Sequence, residues 1–201
     1  RADRQMSDQG STFDSRGEKP PRNLSGARVT VMGLGSFGGG VGVVRYLVRQ
    51  RANVTVTDLR DRNTLRESIE ALGQDQPAHW SLGGHVERDF TETDLLVVNP
   101  GVPKSSPFLK LATDAGVELT SEMNLFWERN RGRVVAVTGS NGKSTTTAMT
   151  HAILSAAGGH CWLGGNLGGS LLGNLEEIQP DDWVVLELSS FQLEDLNRLR
   201  A

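Results

Sequence analysis

The sequence predicts an α/β protein with doubly wound parallel sheets, and three observations carry that prediction. Short β-branched runs alternate with helical patterns from residue 28 onward, as in chained β-α-β units. Glycine-rich turns at residues 33–38 and 139–142 each lie between an apolar strand pattern and a helical one. The alternation also restarts after Asn130-Arg131-Gly132-Arg133, which marks a domain boundary at about residue 131.

In chain order, residues 1–27 form a polar tail with Pro20-Pro21 near its end, too poor in apolar residues to bury anything and expected to be disordered. Residues 28–131 follow as a Rossmann-like domain. Its strands are expected at 28–32, 53–57, 79–82, 94–98 and 117–119, and its helices at 39–50, 64–72 and 106–115. Residues 132–201 read as the first part of a P-loop α/β ATPase domain. Strands are expected there at 134–137, 160–163 and 183–188, and helices at 143–157, around 170–175 and at 190–200. That last helical pattern runs to Ala201 without a stop signal, so the chain reads as a piece of a longer one.

Composition narrows the function classes. With 201 residues the chain can form one large or two modest domains, and hydrophobic residues at 37% are supplemented by 24 glycines. A net charge of −3 gives no basic footprint for nucleic acid or an anionic membrane, so anionic ligands must be held locally. One cysteine, Cys161 in an apolar stretch, excludes an internal disulfide and reads as a structural thiol in a reducing compartment. No apolar run reaches spanning length and no leader pattern opens the chain, so the cytoplasm is the expected location.

Two glycine loops hold the chemistry. In Thr138-Gly139-Ser140-Asn141-Gly142-Lys143-Ser144-Thr145, Gly139 and Gly142 leave room for backbone N–H groups to face phosphate oxygens at a helix start, where the dipole favours anions. Lys143 is the cation for the β- and γ-phosphates, and the hydroxyl of Ser144, or else Thr145, is placed for Mg²⁺. A common P-loop has a further glycine where Val137 stands, so this loop is a shortened variant. Glu187, ending the apolar run Trp183-Val184-Val185-Leu186, is the candidate second Mg²⁺ ligand. Gly33-Leu34-Gly35-Ser36-Phe37-Gly38 with Asp58 twenty residues on fits a dinucleotide-binding fingerprint, although it reports a diphosphate-sized ligand more securely than NAD. Asn166, in Gly164-Gly165-Asn166-Leu167-Gly168, can donate to a phosphate or substrate oxygen, or simply make a turn. Asp181 and Asp182 read as a solvated turn, His151 and His160 as structural, and His79 and His85 as loop residues.

Taken together, the phosphate loop, Gly164-Gly165-Asn166-Leu167-Gly168 and Leu186-Glu187-Leu188-Ser189-Ser190-Phe191-Gln192-Leu193-Glu194 resemble the Mur ligases, in particular their D-glutamate-adding branch. Gly33-Leu34-Gly35, Asp58-Leu59-Arg60, Asn99-Pro100-Gly101-Val102 and Glu122-Met123-Asn124-Leu125-Phe126 follow the family's order, so the likeness covers about residues 28–201. The resemblance implies an ATP-dependent acid–amino-acid ligase of peptidoglycan precursor synthesis, a monomer without nucleic-acid or membrane partners. UDP-N-acetylmuramoyl-L-alanine would be joined to D-glutamate through an acyl phosphate. It implies that Ser36, Phe37, Asp58, Arg60, Asn99, Gly101 and Asn166 meet the UDP substrate, and that Gly139, Ser140, Asn141, Gly142, Lys143, Ser144 and Thr145 hold ATP. Lys143 would be catalytic, and Ser144 and Glu187 would bind Mg²⁺. Phe37, Asn99 and Asn124 depart from the threonine, serine and acid usual in relatives. A metal-binding histidine, a carbamoylated lysine and a C-terminal domain would lie beyond Ala201, so this chain alone is expected not to ligate. The alternatives are a Mur ligase for another amino acid, against which the Ser-Ser-Phe-Gln string argues, and an NAD-binding dehydrogenase or sensor module.

Overall fold

The computed structural model describes residues 21–35, 38–194 and 196. Two parallel sheets follow one another along the chain. The first contains β1 (Arg28–Met32), β2 (Asn53–Asp58), β3 (His79–Leu82), β4 (Leu95–Val98) and β5 (Glu118–Thr120), in the order β3-β2-β1-β4-β5. This is a five-stranded doubly wound sheet. Its strand order reverses between β1 and β4, and ligands bind such sheets in the crevice beyond the carboxyl ends at that reversal.

Strand alternation assigns the faces. Val29 and Val31 of β1 and Val54 and Val56 of β2 pack against α1 (Gly39–Arg49), whose Val43, Val44 and Leu47 are buried. Met32 and Leu96 turn to the opposite face and meet Phe90 and Ala112 in a smaller core. α2 (Arg66–Leu72) packs beside α1, and α4 (Pro107–Asp114) covers the second face.

The second sheet contains β6 (Arg133–Val137), β7 (Cys161–Gly165) and β8 (Trp183–Glu187), in the order β6-β8-β7. Between β6 and β7 runs α6 (Lys143–Ala156), and after β8 comes α7 (Ser190–Glu194). A single 3-10 turn, Leu172–Asn174, stands where a short helix at 170–175 is expected. Its Leu171 and Leu172 join the same apolar cluster as α1, so one continuous core underlies both sheets. Among the described residues, no helix is long and apolar enough to cross a membrane.

The structure adds two helices that periodicity misses, α3 (Arg88–Thr91) and α5 (Glu122–Trp127), both too short for a full amphipathic repeat. The expected helix at 190–200 is described only as α7, and residues 195 and 197–201 lie outside the described residues. Residues 1–20 of the expected tail also lie outside them. Its end at residues 21–27 is corrected: Leu24 is buried, and Arg22 Nε donates to Glu128 Oε2 at 2.9 Å while its guanidinium also reaches Glu118. The expectation failed because a short polar stretch needs only one apolar anchor and one doubly paired arginine to dock. Two surface assignments change as well. His79 opens β3, and Asp182 is buried, not a solvated turn.

Candidate nucleotide and substrate sites

Two helices begin in the same unusual way. α1 starts after Gly38 (φ 87°) and α6 after Gly142 (φ 76°), both left-handed, and neither cap residue makes a side-chain hydrogen bond to the first turn. The first-turn N–H groups of each helix therefore stay open to an anionic ligand. By contrast, Ser121 caps α5, accepting a bond from Asn124 N–H. Ser189 does the same for α7: its Oγ accepts from Gln192 N–H at 3.2 Å, and Gln192 Oε1 accepts from Ser189 N–H at 2.9 Å, a reciprocal capping box. Serine side chains close the starts of α5 and α7, whereas left-handed glycines leave the starts of α1 and α6 open. The Ser-Ser-Phe-Gln string thus has a local structural role, and its serine-to-glutamine spacing signals it in the sequence.

At the second site, β6 delivers the chain to Gly139, whose φ of 148° suits only glycine. Lys143 Nζ donates to Gly139 O at 2.9 Å, so the lysine folds back over the loop that Ser140 and Asn141 complete. Ser144 and Thr145 follow on the exposed first turn of α6, while Thr147 is buried with its hydroxyl bonded to Lys143 O at 2.8 Å. In register, Val137 faces Glu187, which places Glu187 beside the start of the loop. Glu187 is buried, and its Oε2 has no partner. An orphaned buried carboxylate oxygen is what a cation or its bound water would satisfy, so Glu187 fits a role as Mg²⁺ ligand. Among the described residues, no group of three or more His, Cys, Asp or Glu stands ready to hold a metal.

Asn166 is brought to the same edge. Its N–H donates to Glu187 O at 3.0 Å, while its side chain is exposed. Gly165 has to be glycine: φ is 79°, and a Cβ would lie 2.2 Å from Glu187 O.

At the first site, a crevice of about 690 Å³ lies along the carboxyl ends of β1, β2 and β4 and is lined by Gly33, Gly35, Asp58, Arg60, Asn99 and Gly101, among others. Asp58 is its organiser. Its Oδ2 accepts from Leu34 N–H at 3.0 Å and from Arg60 Nη2 at 2.9 Å, and its Oδ1 from Arg60 N–H at 2.9 Å and Nε at 3.0 Å. Burial alone would push the carboxyl up, but the Arg60 hydrogen bonds and charge outweigh it and hold it below its usual value. Asn99 Oδ1 accepts from Gly101 N–H at 3.0 Å, an Asx turn that aims the Pro100-Gly101 backbone. Its side chain packs on Gly33 and Gly35, where a Cβ would come within 3.1 and 3.3 Å of Asn99 atoms. Ser36 and Phe37 lie outside the described residues.

His85, read as a loop residue, also lines the crevice. It packs edge-on between Phe90 and Phe108, and its Nδ1 lies 2.7 Å from Thr57 Oγ1; burial lowers its pKa. Nothing in its sequence spacing announces this. His160 and His151 are structural as expected, bonded to Asp182 Oδ2 (3.2 Å) and to Cys161 O (3.1 Å). Burial raises the Cys161 thiol, in keeping with an unreactive role.

A doubly wound domain with an open helix start at its strand-order reversal, joined through one core to a glycine loop with a buried acid beside it, defines a two-domain α/β protein of the P-loop type. Residues 27–121 match the Mur ligase MurD-like N-terminal domain, and residues 137–201 the Mur ligase middle domain. The chain belongs to the Mur ligase family. Among curated relatives, the UDP-N-acetylmuramoylalanine--D-glutamate ligase of Roseiflexus sp. is 44% identical over 173 residues, 86% of this chain and 37% of the relative. The protein of the same name from Geobacter metallireducens is 42% identical over 177 residues, 88% of this chain and 38% of its own length. The chain thus spans well under half the length of the relatives it matches. A solved UDP-N-acetylmuramate:L-alanyl-gamma-D-glutamyl-meso-diaminopimelate ligase from Neisseria meningitides shares the fold with a TM-score of 0.51 at 17% identity, over 84% of this chain and 56% of that one.

Proposed function

We propose that this chain carries the UDP-substrate-binding and phosphate-loop parts of a ligase that joins D-glutamate to UDP-N-acetylmuramoyl-L-alanine in peptidoglycan precursor synthesis. The reading rests on one observation above the others, the orphaned Oε2 of Glu187 beside an uncapped, lysine-bearing phosphate loop. The choice of substrate follows the names of the relatives at 42–44% identity. Such an enzyme works on soluble precursors in the cytoplasm and serves wall growth, cell shape and division.

A carboxylate is a poor acyl electrophile, because its negative charge repels an attacking amine. In the proposed reaction the alanyl carboxylate attacks the γ-phosphoryl group of ATP, giving an acyl phosphate and ADP. The D-glutamate amine then attacks the acyl carbon, the amide forms, and phosphate leaves with the electrons of the C–O bond. Gly139, Ser140, Asn141, Gly142 and Thr145 form the loop and helix start that would cradle the ATP phosphates with backbone N–H groups. Lys143 turns from the Gly139 carbonyl to the transferring phosphoryl group, where its charge counts most. Ser144 and Glu187 would hold Mg²⁺, which supplies further neutralisation of phosphate charge when bound. Arg60, held in place by Asp58, would address the uracil end, Asn99 and Gly101 would line the path between the two sites, and Asn166 would donate to the substrate near the reacting carboxylate.

Titration calorimetry tests the reading. UDP-N-acetylmuramoyl-L-alanine and Mg-ATP are each expected to bind, and Lys143→Ala to remove only the second. Tight NADH binding with no response to the UDP ligand would overturn it in favour of a dehydrogenase-like module.

A further inference from the structure

Glycine inside a helix costs about 1 kcal/mol relative to alanine, so a run of them calls for a reason. α1 opens with Gly39, Gly40, Val41 and Gly42. Gly40 is explained within the first domain, because a Cβ there would lie 2.0 Å from Leu34 O. Gly42 is explained only by the second. A Cβ at Gly42 would come within 2.4 Å of both the Cβ and the Oγ of Ser170, and the Cβ is fixed to the backbone and cannot swing away. Ser170 therefore sits in a notch on α1 that exists only because residue 42 has no side chain.

The rest of its surroundings fixes Ser170 from both sides. Its Oγ accepts from Leu172 N–H at 3.4 Å, at the start of the turn whose Leu171 and Leu172 are buried against α1. Burial raises the pKa of Glu122, the first residue of α5, and the nearby Ser170 hydroxyl offsets part of that rise; Glu122 Oε2 lies 3.0 Å from where a Cβ would stand on Gly39. Behind Ser170 the loop is stiff: Gly165 and Gly169 exchange two backbone hydrogen bonds, at 3.0 and 2.8 Å, and Asn166 N–H is tied to Glu187 O. A rigid path thus runs from the uncapped start of α1 to Asn166 and Glu187.

We propose that Ser170 is an interdomain positioning residue: seated in the Gly42 notch and against Glu122, it holds the Asn166 loop in fixed register with the helix start of the substrate domain. This rests on the function proposed above only for what the two ends bind; the contact itself is independent of it. A close-packed seam with apolar neighbours opposes the relative motion that is usual between paired domains.

Hydrogen exchange on the chain provides the test, with UDP as the probe. Gly42→Ala is expected to speed exchange at residues 164–170 by at least about fivefold, with the amides of β1–β5 unchanged. In the unaltered chain UDP slows exchange in that loop; in Gly42→Ala it does not, although UDP still binds within about twofold, an effect that loss of packing alone would not produce. If Gly42→Ala fails to fold, Ser170→Gly empties the notch without a clash and is expected to give the same two readings. A folded variant whose loop exchanges as before, or still responds to UDP, overturns the proposal. If UDP does not bind at all, the substrate reading of the first domain fails, and the ligand-free exchange rates alone decide for or against Ser170.

Discussion

The Asp58 carboxylate accepts a hydrogen bond from the Leu34 amide at 3.0 Å, across 24 residues, and so ties the end of β2 to the glycine loop after β1. In a dinucleotide-binding enzyme an acid at this position would hold a ribose hydroxyl. Here both its oxygens are already taken by the loop and by Arg60, so its task is to build the cradle.

Replacing it should loosen that cradle. Asp58→Asn sets an amide N–H against donors, leaving buried groups unsatisfied, and is expected to lower unfolding stability by about 1–3 kcal/mol and weaken UDP binding. The folded carboxyl lies below its usual 3.8, so its contribution is present above that value and lost as pH falls through the depressed one. Urea unfolding should show the gap between Asp58→Asn and the unaltered chain closing in acid. A gap that stays constant with pH would count against the clamp.

Asp182 gives a second acid-sensitive point, in the other domain. Its Oδ2 accepts from Gln179 N–H and Trp162 Nε1, both at 2.9 Å, and from His160, and these hold its pKa down to about 2. The sign is that of a depressed carboxylate: the stabilisation is complete above 3.8 and disappears as pH falls through about 2. Trp162 fluorescence followed during acid titration should report that loss, and Asp182→Ala should abolish the transition.

Two glycines should respond oppositely to alanine. At Gly40 a Cβ would overlap Leu34 O at 2.0 Å, so Gly40→Ala is expected to cost about 3 kcal/mol or more by moving the helix off its loop. At Gly173 nothing lies within 4 Å and φ is not positive, so Gly173→Ala should be neutral or stabilise by up to about 1 kcal/mol. Thermal melts of the two variants, side by side, decide it.

Glu187→Gln is expected to leave the fold intact, since the unpartnered Oε2 makes no hydrogen bond to lose. Its effect should fall on the metal. ATP affinity of the variant in Mg²⁺ should match that of the unaltered chain in EDTA, and a full Mg²⁺ effect in Glu187→Gln would remove Glu187 from the ligand set.

Much of this was legible in residue order, because the signals are local. Alternating Val and Thr in β1 and β2 gave the strands, and glycine-bounded turns gave both open helix starts. The acid ending Trp183-Val184-Val185-Leu186-Glu187 gave the candidate metal ligand. What escaped was short or shaped by distant partners: α3 and α5, the docking of Arg22 on Glu128, the burial of Asp182, and His85 between two phenylalanines.

The sequence by itself determined the two β-α-β series, the positions of the two glycine-capped helix starts and the kinship with the Mur ligases, since each depends on neighbours within a few residues. Only the tertiary structure decided that Asp58 is a scaffold for the glycine loop, that Glu187 has an orphaned oxygen, and that Gly42 is a seat for Ser170. Those depend on contacts between residues 24 to 128 positions apart, and hydrogen bonding and excluded volume act on distance in space, which residue order does not encode until the sheets are stacked.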